Sequence, residues 1–162
     1  MKPYLASVLA IALFALAPAI PVHADDPTTK QAAVIARHEQ EEKNKALVTT
    51  AYQALFGDKD LSSLDKYFKE DYIQHNPMVP TGREALRQML LSFGFDKAPK
   101  SKVDLVRIAA DGDLVWIHTH GLWAGAESVI VDIFRVEDGK IAEHWDVIQP
   151  IPAKSANKNG IY

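Results

Sequence analysis

The chain contains no cysteine, which excludes a disulfide framework, thiolate chemistry and a lipid anchor built on a cysteine. Basic clusters are missing too. With 18 Lys+Arg against 21 Asp+Glu, the formal net charge of −3 gives no electrostatic footprint for a nucleic-acid partner. There is no glycine-rich phosphate loop, nucleophile elbow or metalloprotease signature, so covalent catalysis is not expected. The single long apolar run, Leu5 to Ala17, falls short of the roughly 20 residues that a membrane-spanning helix needs. Lys2 precedes it, and Pro18, Pro21 and the A-x-A-like end Val22-His23-Ala24 follow it. Residues 1–24 therefore read as a secretory signal peptide cut after Ala24, with an uncleaved anchor as the alternative. A periplasmic or secreted protein is expected, soluble and free of the membrane once cut.

What remains suits one domain with a real hydrophobic core. Residues 25–45 are polar, from Asp25-Asp26-Pro27-Thr28-Thr29 through Glu39, Glu41, Glu42, Lys43 and Lys45. They read as a solvated helical arm capped by Thr28 or Thr29. From Ala46 the periodicity strengthens: Leu47, Val48, Ala51, Leu55 and Phe56 share one helical face, and Gly57 is placed to end it. A second helix fits Leu61 to Phe68 behind Asp60. A third begins at the capping-box string Thr81-Gly82-Arg83-Glu84 and turns Leu86, Met89, Leu90 and Phe93 inward. After Pro99 the composition shifts to Val, Ile, Phe and Trp. Asp111-Gly112 separates Val103–Ala110 from Leu114–Trp123, and Asp138-Gly139 separates Ser128–Val136 from Ile141–Gln149, both as hairpin turns. Helices first and strands afterwards predict an α+β domain over residues 46–152, an antiparallel sheet with the helices on one face. Residues 153–162, rich in Asn and Lys, read as a loose tail.

Three strings stand out within this frame: Tyr72-Ile73-Gln74-His75-Asn76-Pro77, Val131-Asp132-Ile133-Phe134-Arg135 and Asp138-Gly139-Lys140-Ile141-Ala142-Glu143-His144-Trp145-Asp146-Val147. Their order and content resemble the SnoaL-like polyketide cyclase family, within the ketosteroid-isomerase-like cone-fold superfamily, from about Ala46 to Pro152. The resemblance implies a curved sheet wrapped around three helices, an apolar pocket at the open end of the cone, and frequently a homodimer. It also implies intramolecular aldol chemistry without metal or organic cofactor. On that likeness Asp132 matches the acid/base aspartate and His118 the histidine on the preceding strand. Export is a departure, because antibiotic cyclases act inside the cell, so the fold transfers more safely than the substrate.

The residues can also be read directly. Asp132 lies among Ile130, Val131, Ile133 and Phe134, so its carboxyl is desolvated on either face, which raises its pKa toward the range useful for acid/base catalysis. An aspartate held by Arg135, Arg107 or a backbone donor is the structural alternative. If Asp138-Gly139 is a two-residue loop, Glu137 faces Lys140, Asp132 falls opposite Trp145 and Ile130 opposite Val147, these four sharing the pocket face. His144 and Asp146 then lie behind the sheet with Val131 and Ile133. The turn near Ala124-Gly125-Ala126-Glu127 decides the remaining histidines. A two-residue loop puts His118 and His120 behind the sheet, and a five-residue loop turns them and Trp116 inward. Family spacing favours the longer loop, which sets His118 beside Asp132. His75 is a candidate donor at the pocket rim or a hydrogen-bonded turn residue. Tyr72 offers a phenol to the cavity or belongs to the core, and Phe134 joins the apolar lining. His118 and His120 point the same way along a strand, as metal ligands would, but no standard spacing supplies a third ligand.

The leading expectation is an exported, cofactor-independent enzyme that moves a proton next to a carbonyl of a small apolar molecule, by aldol, cyclase or isomerase chemistry. Its competitor is a non-catalytic periplasmic ligand-binding protein of the same fold. A third reading is a mainly structural homodimer packed through Val129, Val131 and Ile133.

Overall fold

The computed structural model describes residues 26–162; the expected signal peptide lies outside the described residues. Helix α1 (Pro27–Tyr52) is capped by Asp26 rather than by Thr28 or Thr29: the Asp26 carboxylate accepts the Thr28 N–H at 3.3 Å, and Pro27 fills the first helical position. The helix runs unbroken through the polar arm. Its first half is exposed but held at the sheet, because Arg37 pairs with Asp111, Glu41 accepts the Gly112 N–H at 2.8 Å and Asn44 donates to the Gly112 carbonyl at 3.0 Å. Val48, Ala51, Tyr52 and Leu55 then enter the core. A π-helical turn, Gln53–Gly57, ends the helix. A Cβ at Gly57 would stand 2.7 Å from the Ser101 carbonyl oxygen, so only glycine lets the two backbones approach.

Helix α2 (Ser63–Tyr67) is shorter than its sequence pattern suggests, because Phe68 already opens strand β1 (Phe68–Gln74). The capping box before α3 (Arg83–Ser92) does not form. Gly82, at φ 96°, is the N-cap without a side-chain bond, while the Thr81 hydroxyl is taken by the Gln74 N–H at 3.2 Å. Glu84 turns instead to Arg87 and Gln88.

Strands β2 (Asp104–Asp111), β3 (Leu114–Trp123), β4 (Ala126–Glu137) and β5 (Lys140–Pro150) form the expected antiparallel meander. The first turn falls on Gly112-Asp113, one residue later than Asp111-Gly112. β1 adds parallel to β5 at the edge, giving the order β1-β5-β4-β3-β2. This is a mixed α+β fold with N-terminal helices and a curved five-stranded open sheet. Its core lies between helices and sheet, where Val48, Leu55, Leu64, Leu86 and Leu90 meet Phe68, Val115, Ile117, Phe134, Val136 and Ile141. Among the described residues no helix is long and apolar enough to cross a membrane.

Candidate active site

Strand register decides which polar residues meet. Asp138 and Gly139 adopt φ 51° and 71°, as a two-residue primed turn requires, and Glu137 faces Lys140 as expected. The register then shifts: Val136 pairs with Ile141 but Arg135 with Glu143, which leaves Ala142 as the extra residue of a bulge. Beyond it Asp132 stands opposite Asp146, Phe134 opposite His144, Ile133 opposite Trp145 and Val131 opposite Val147. The expected pairing of Asp132 with Trp145 and Ile130 with Val147 is therefore overturned, since a slip of one residue exchanges the faces of a strand. His144 and Asp146 share the inner face with Asp132, and Trp145 turns outward.

The turn between β3 and β4 corrects the other histidines. Ala124 (φ 48°) and Gly125 (φ 83°) close a two-residue loop, because Leu122 and Trp123 extend β3 instead of lengthening the turn. His118 lies opposite Val131, Trp116 opposite Ile133 and His120 opposite Val129, all on the outer face. His118 Nδ1 accepts from Arg107 Nη1 at 3.0 Å, and His120 sits 3.3 Å from Asp104 under the ring of Tyr162, 4.2 Å away and nearly parallel. His75 stacks on Trp145 at 4.5 Å and reaches Glu143 at 3.2 Å. His118, His120, Trp116, Trp145 and His75 thus do not meet Asp132. Tyr72 and Phe134 do face the interior with it.

The inner cluster is built around a hydrogen bond of 2.9 Å between Asp132 Oδ1 and His144 Nε2. The pair is nearly closed off from solvent, Asp132 being 5 % and His144 7 % exposed. On its other side His144 Nδ1 meets Gln74 Oε1 at 2.9 Å, and Gln74 Nε2 donates to the Tyr72 hydroxyl at 3.0 Å. Asp146 receives the Asn76 side-chain amide on both oxygens, at 2.9 and 2.7 Å. The Phe134 ring lies 4.8 Å from His144 and 6.2 Å from Tyr52, whose hydroxyl is 3.4 Å from that of Thr119. Asp132 Oδ2 is buried without a hydrogen-bond partner among the described residues.

Burial pushes the Asp132 carboxyl above the usual carboxylate range, against the opposing pull of the hydrogen bond and charge of His144 and of the Tyr52 hydroxyl. The two phenols are driven further from ionisation. Tyr52 and Tyr72 are both raised, chiefly by burial and then by the charge of Asp132. Such a cluster can hold a proton between a carboxyl and an imidazole out of water. Asp132, His144 and Asp146 each also present a ligand atom within 4.8 Å of the others, the one grouping among the described residues that could hold a metal ion. Both oxygens of Asp146 are engaged by Asn76, however, and the 2.9 Å contact between Asp132 and His144 already serves as a hydrogen bond. Two open surface depressions, of about 610 Å³ beside Lys69, Arg83 and Lys140 and about 440 Å³ beside Arg37 and Glu41, include none of the cluster.

Sequence reasoning missed His144, Asp146, Gln74, Asn76 and Tyr52 as members of the site. One local signal was available: Ile141-Ala142 places two apolar residues side by side directly after the turn, and both are buried. That pattern marks the bulge that turns His144 inward.

The model of the SnoaL-like domain family matches residues 48–144, from the last turn of α1 through β4 and into the first half of β5, including Asp132 and His144. No curated protein matches. Among solved structures, TsrD from Streptomyces laurentii is similar at 22% identity and a TM-score of 0.53, covering 66% of this chain and 88% of that one. An LEH-like epoxide hydrolase from M. tuberculosis is similar at 20% identity and a TM-score of 0.55, covering 68% and 85%. An NTF-2 like protein of unknown function from Burkholderia xenovorans gives 18% identity and a TM-score of 0.56, covering 71% and 89%. At these identities the likeness speaks to the fold. With the family model spanning more than half of its length, the chain belongs to the SnoaL-like family.

Proposed function

We propose that this protein is an exported, cofactor-independent enzyme that moves a proton next to the carbonyl of a small apolar compound, in aldol, cyclase or isomerase chemistry. The observation that carries the reading is the buried Asp132–His144 pair, whose carboxyl is raised by desolvation and whose Oδ2 is unpartnered. In the forward step the substrate C–H bond breaks and its proton passes to Asp132 Oδ2. The electron pair moves into the carbonyl to give an enolate, whose charge the imidazolium of His144 offsets at close range. Returning the proton, or letting the enolate attack a second carbonyl, completes an isomerisation or an aldol closure. Gln74 and Asp146 are half-buried members of the cluster, and a ligand reaching Asp132 would have to pass them.

The test follows α-proton exchange of cyclohexanone and 2-octanone in heavy water by NMR. Exchange above the buffer rate, lowered about 10²–10⁴-fold in Asp132→Asn, supports the reading. Unchanged exchange in Asp132→Asn would sink it.

A second reading, a non-catalytic binder of a small apolar molecule, is favoured by the closure of Asp132 from solvent. It is distinguished by saturable binding of the same ketones without exchange. A homodimer packed through the outer sheet face, where Val129, Val131 and Ile133 lie, is compatible with either reading.

A further inference from the structure

The Gln74 side chain is fixed in one orientation by its neighbours. The Asn76 backbone N–H, which can only donate, points at Gln74 Oε1 from 2.9 Å, so the amide cannot flip without setting donor against donor. The amide nitrogen goes to the Tyr72 hydroxyl at 3.0 Å. The oxygen that remains toward His144 Nδ1, also at 2.9 Å, accepts, and Nδ1 must therefore carry a hydrogen. β1 and β5 hold this contact in place, since Gln74 and His144 are register partners and the His75 N–H bonds the His144 carbonyl at 2.9 Å.

We propose that Gln74 is a positioning residue that locks His144 in the Nδ1–H form, so that His144 and Asp132 share a single proton along their 2.9 Å contact. Two arrangements satisfy this geometry. Either the Asp132 carboxylic acid donates to bare Nε2, or the imidazolium Nε2–H donates to the carboxylate. Both are neutral overall. Without that proton a lone pair on Nε2 would face an ionised oxygen. The inference rests on reading Asp132 and His144 as an acid/base pair, and it adds that the pair takes up and returns one proton without tautomer exchange in His144. The ionisable groups facing this proton are Asp132 from β4, Asp146 from β5, Tyr52 from α1 and Tyr72 from β1. None of them can replace the neutral acceptor at Nδ1: Asp146 is held by Asn76, and Tyr72 already receives the Gln74 amide.

The experiment is a long-range proton–nitrogen NMR spectrum of the full chain labelled at histidine, with His144 assigned through His144→Gln. The expected wild-type spectrum shows a protonated, pyrrole-type Nδ1 at every pH where the protein is folded. Gln74→Leu, which removes the acceptor, should leave Nδ1 bare, the hydrogen between Nε2 and Asp132 being the one that remains. Gln74→Glu, nearly isosteric, should place a carboxylate that can only accept at Nδ1 and keep the pyrrole-type Nδ1 of the wild type, so a bare Nδ1 there would also overturn the proposal. A bare Nδ1 in the wild type, or a Gln74→Leu spectrum identical to it, overturns the proposal. Should Gln74→Leu fail to fold, the wild-type spectrum and Gln74→Glu still decide. The spectra need no substrate, so an Nδ1–H locked by Gln74 in a protein that exchanges no ketone proton would refute the enzymatic reading alone.

Discussion

The two faces of the sheet carry similar residue types and give them different chemistry. On the inner face Asp132, His144 and Asp146 are enclosed by Tyr52, Tyr72 and Phe134, and a carboxyl is driven upward by lost hydration. On the outer face His118, His120 and His75 meet Arg107, Asp104 and Glu143 near solvent, in ion pairs or hydrogen bonds of the sort that contribute little. A histidine two positions along a strand from another is therefore no evidence of a site. What matters is which side of the pleat it occupies, and here one bulge and one two-residue turn set that for every histidine in the sheet.

The sharpest way to break this contrast is to replace one histidine on each face. His144→Gln should lower ketone α-proton exchange about 10²–10⁴-fold, while His118→Gln leaves it at the wild-type rate, read by NMR in heavy water. Comparable losses from both would dissolve the distinction. Next in size is the bulge itself. A second extra residue, an alanine inserted between Glu143 and His144, would drive Trp145 and Val147 toward the core and expel His144 and Asp146, a register conflict expected to lower stability by about 3 kcal/mol or more in denaturant unfolding. A smaller effect follows from the raised Asp132 carboxyl. Below about pH 4 both folded and unfolded chains keep this proton; as pH rises through the folded value, the native state must ionise a buried group and loses stability. Asp132→Asn should thus be more stable than wild type near neutral pH, by about 1 kcal/mol or a few degrees in Tm, with the gap closing in acid. Smallest is the outer stack: Tyr162→Ala should change Tm by no more than about 0.5 kcal/mol would.

Much of the fold was legible because it follows from local patterns. The Leu47–Phe56 face, the inward Leu86, Met89 and Leu90 of α3, and the Asp138-Gly139 turn each reflect a periodicity or a backbone preference carried by a few adjacent residues, whereas Phe93, expected inward with them, follows the end of the helix and is 77 % exposed. The site was less legible, because its assembly depends on events that local patterns do not encode. Asp138-Gly139 gave the correct turn, yet the inserted Ala142 reversed the faces of everything after it. Family spacing suggested a long turn before β4, whereas Ala124 and Gly125 both accept positive φ and close it in two residues. Asp132 could be singled out from its apolar neighbours alone. Gln74 and Asn76 drew notice only as parts of a string, since their partners lie on another strand.

The parallel edge strand β1 carries a consequence for how the protein matures. Strands β2 to β5 are joined by short turns and can zip together from neighbouring contacts, whereas Gln74 must find His144 across 70 positions of chain. The order of assembly should then run from meander to edge, with the polar cluster completed when β1 docks on β5. A chain stalled before that step would already have its hairpins and much of its secondary structure but no organised Asp132–His144 centre, so chemical competence would report the last stage of folding rather than the first.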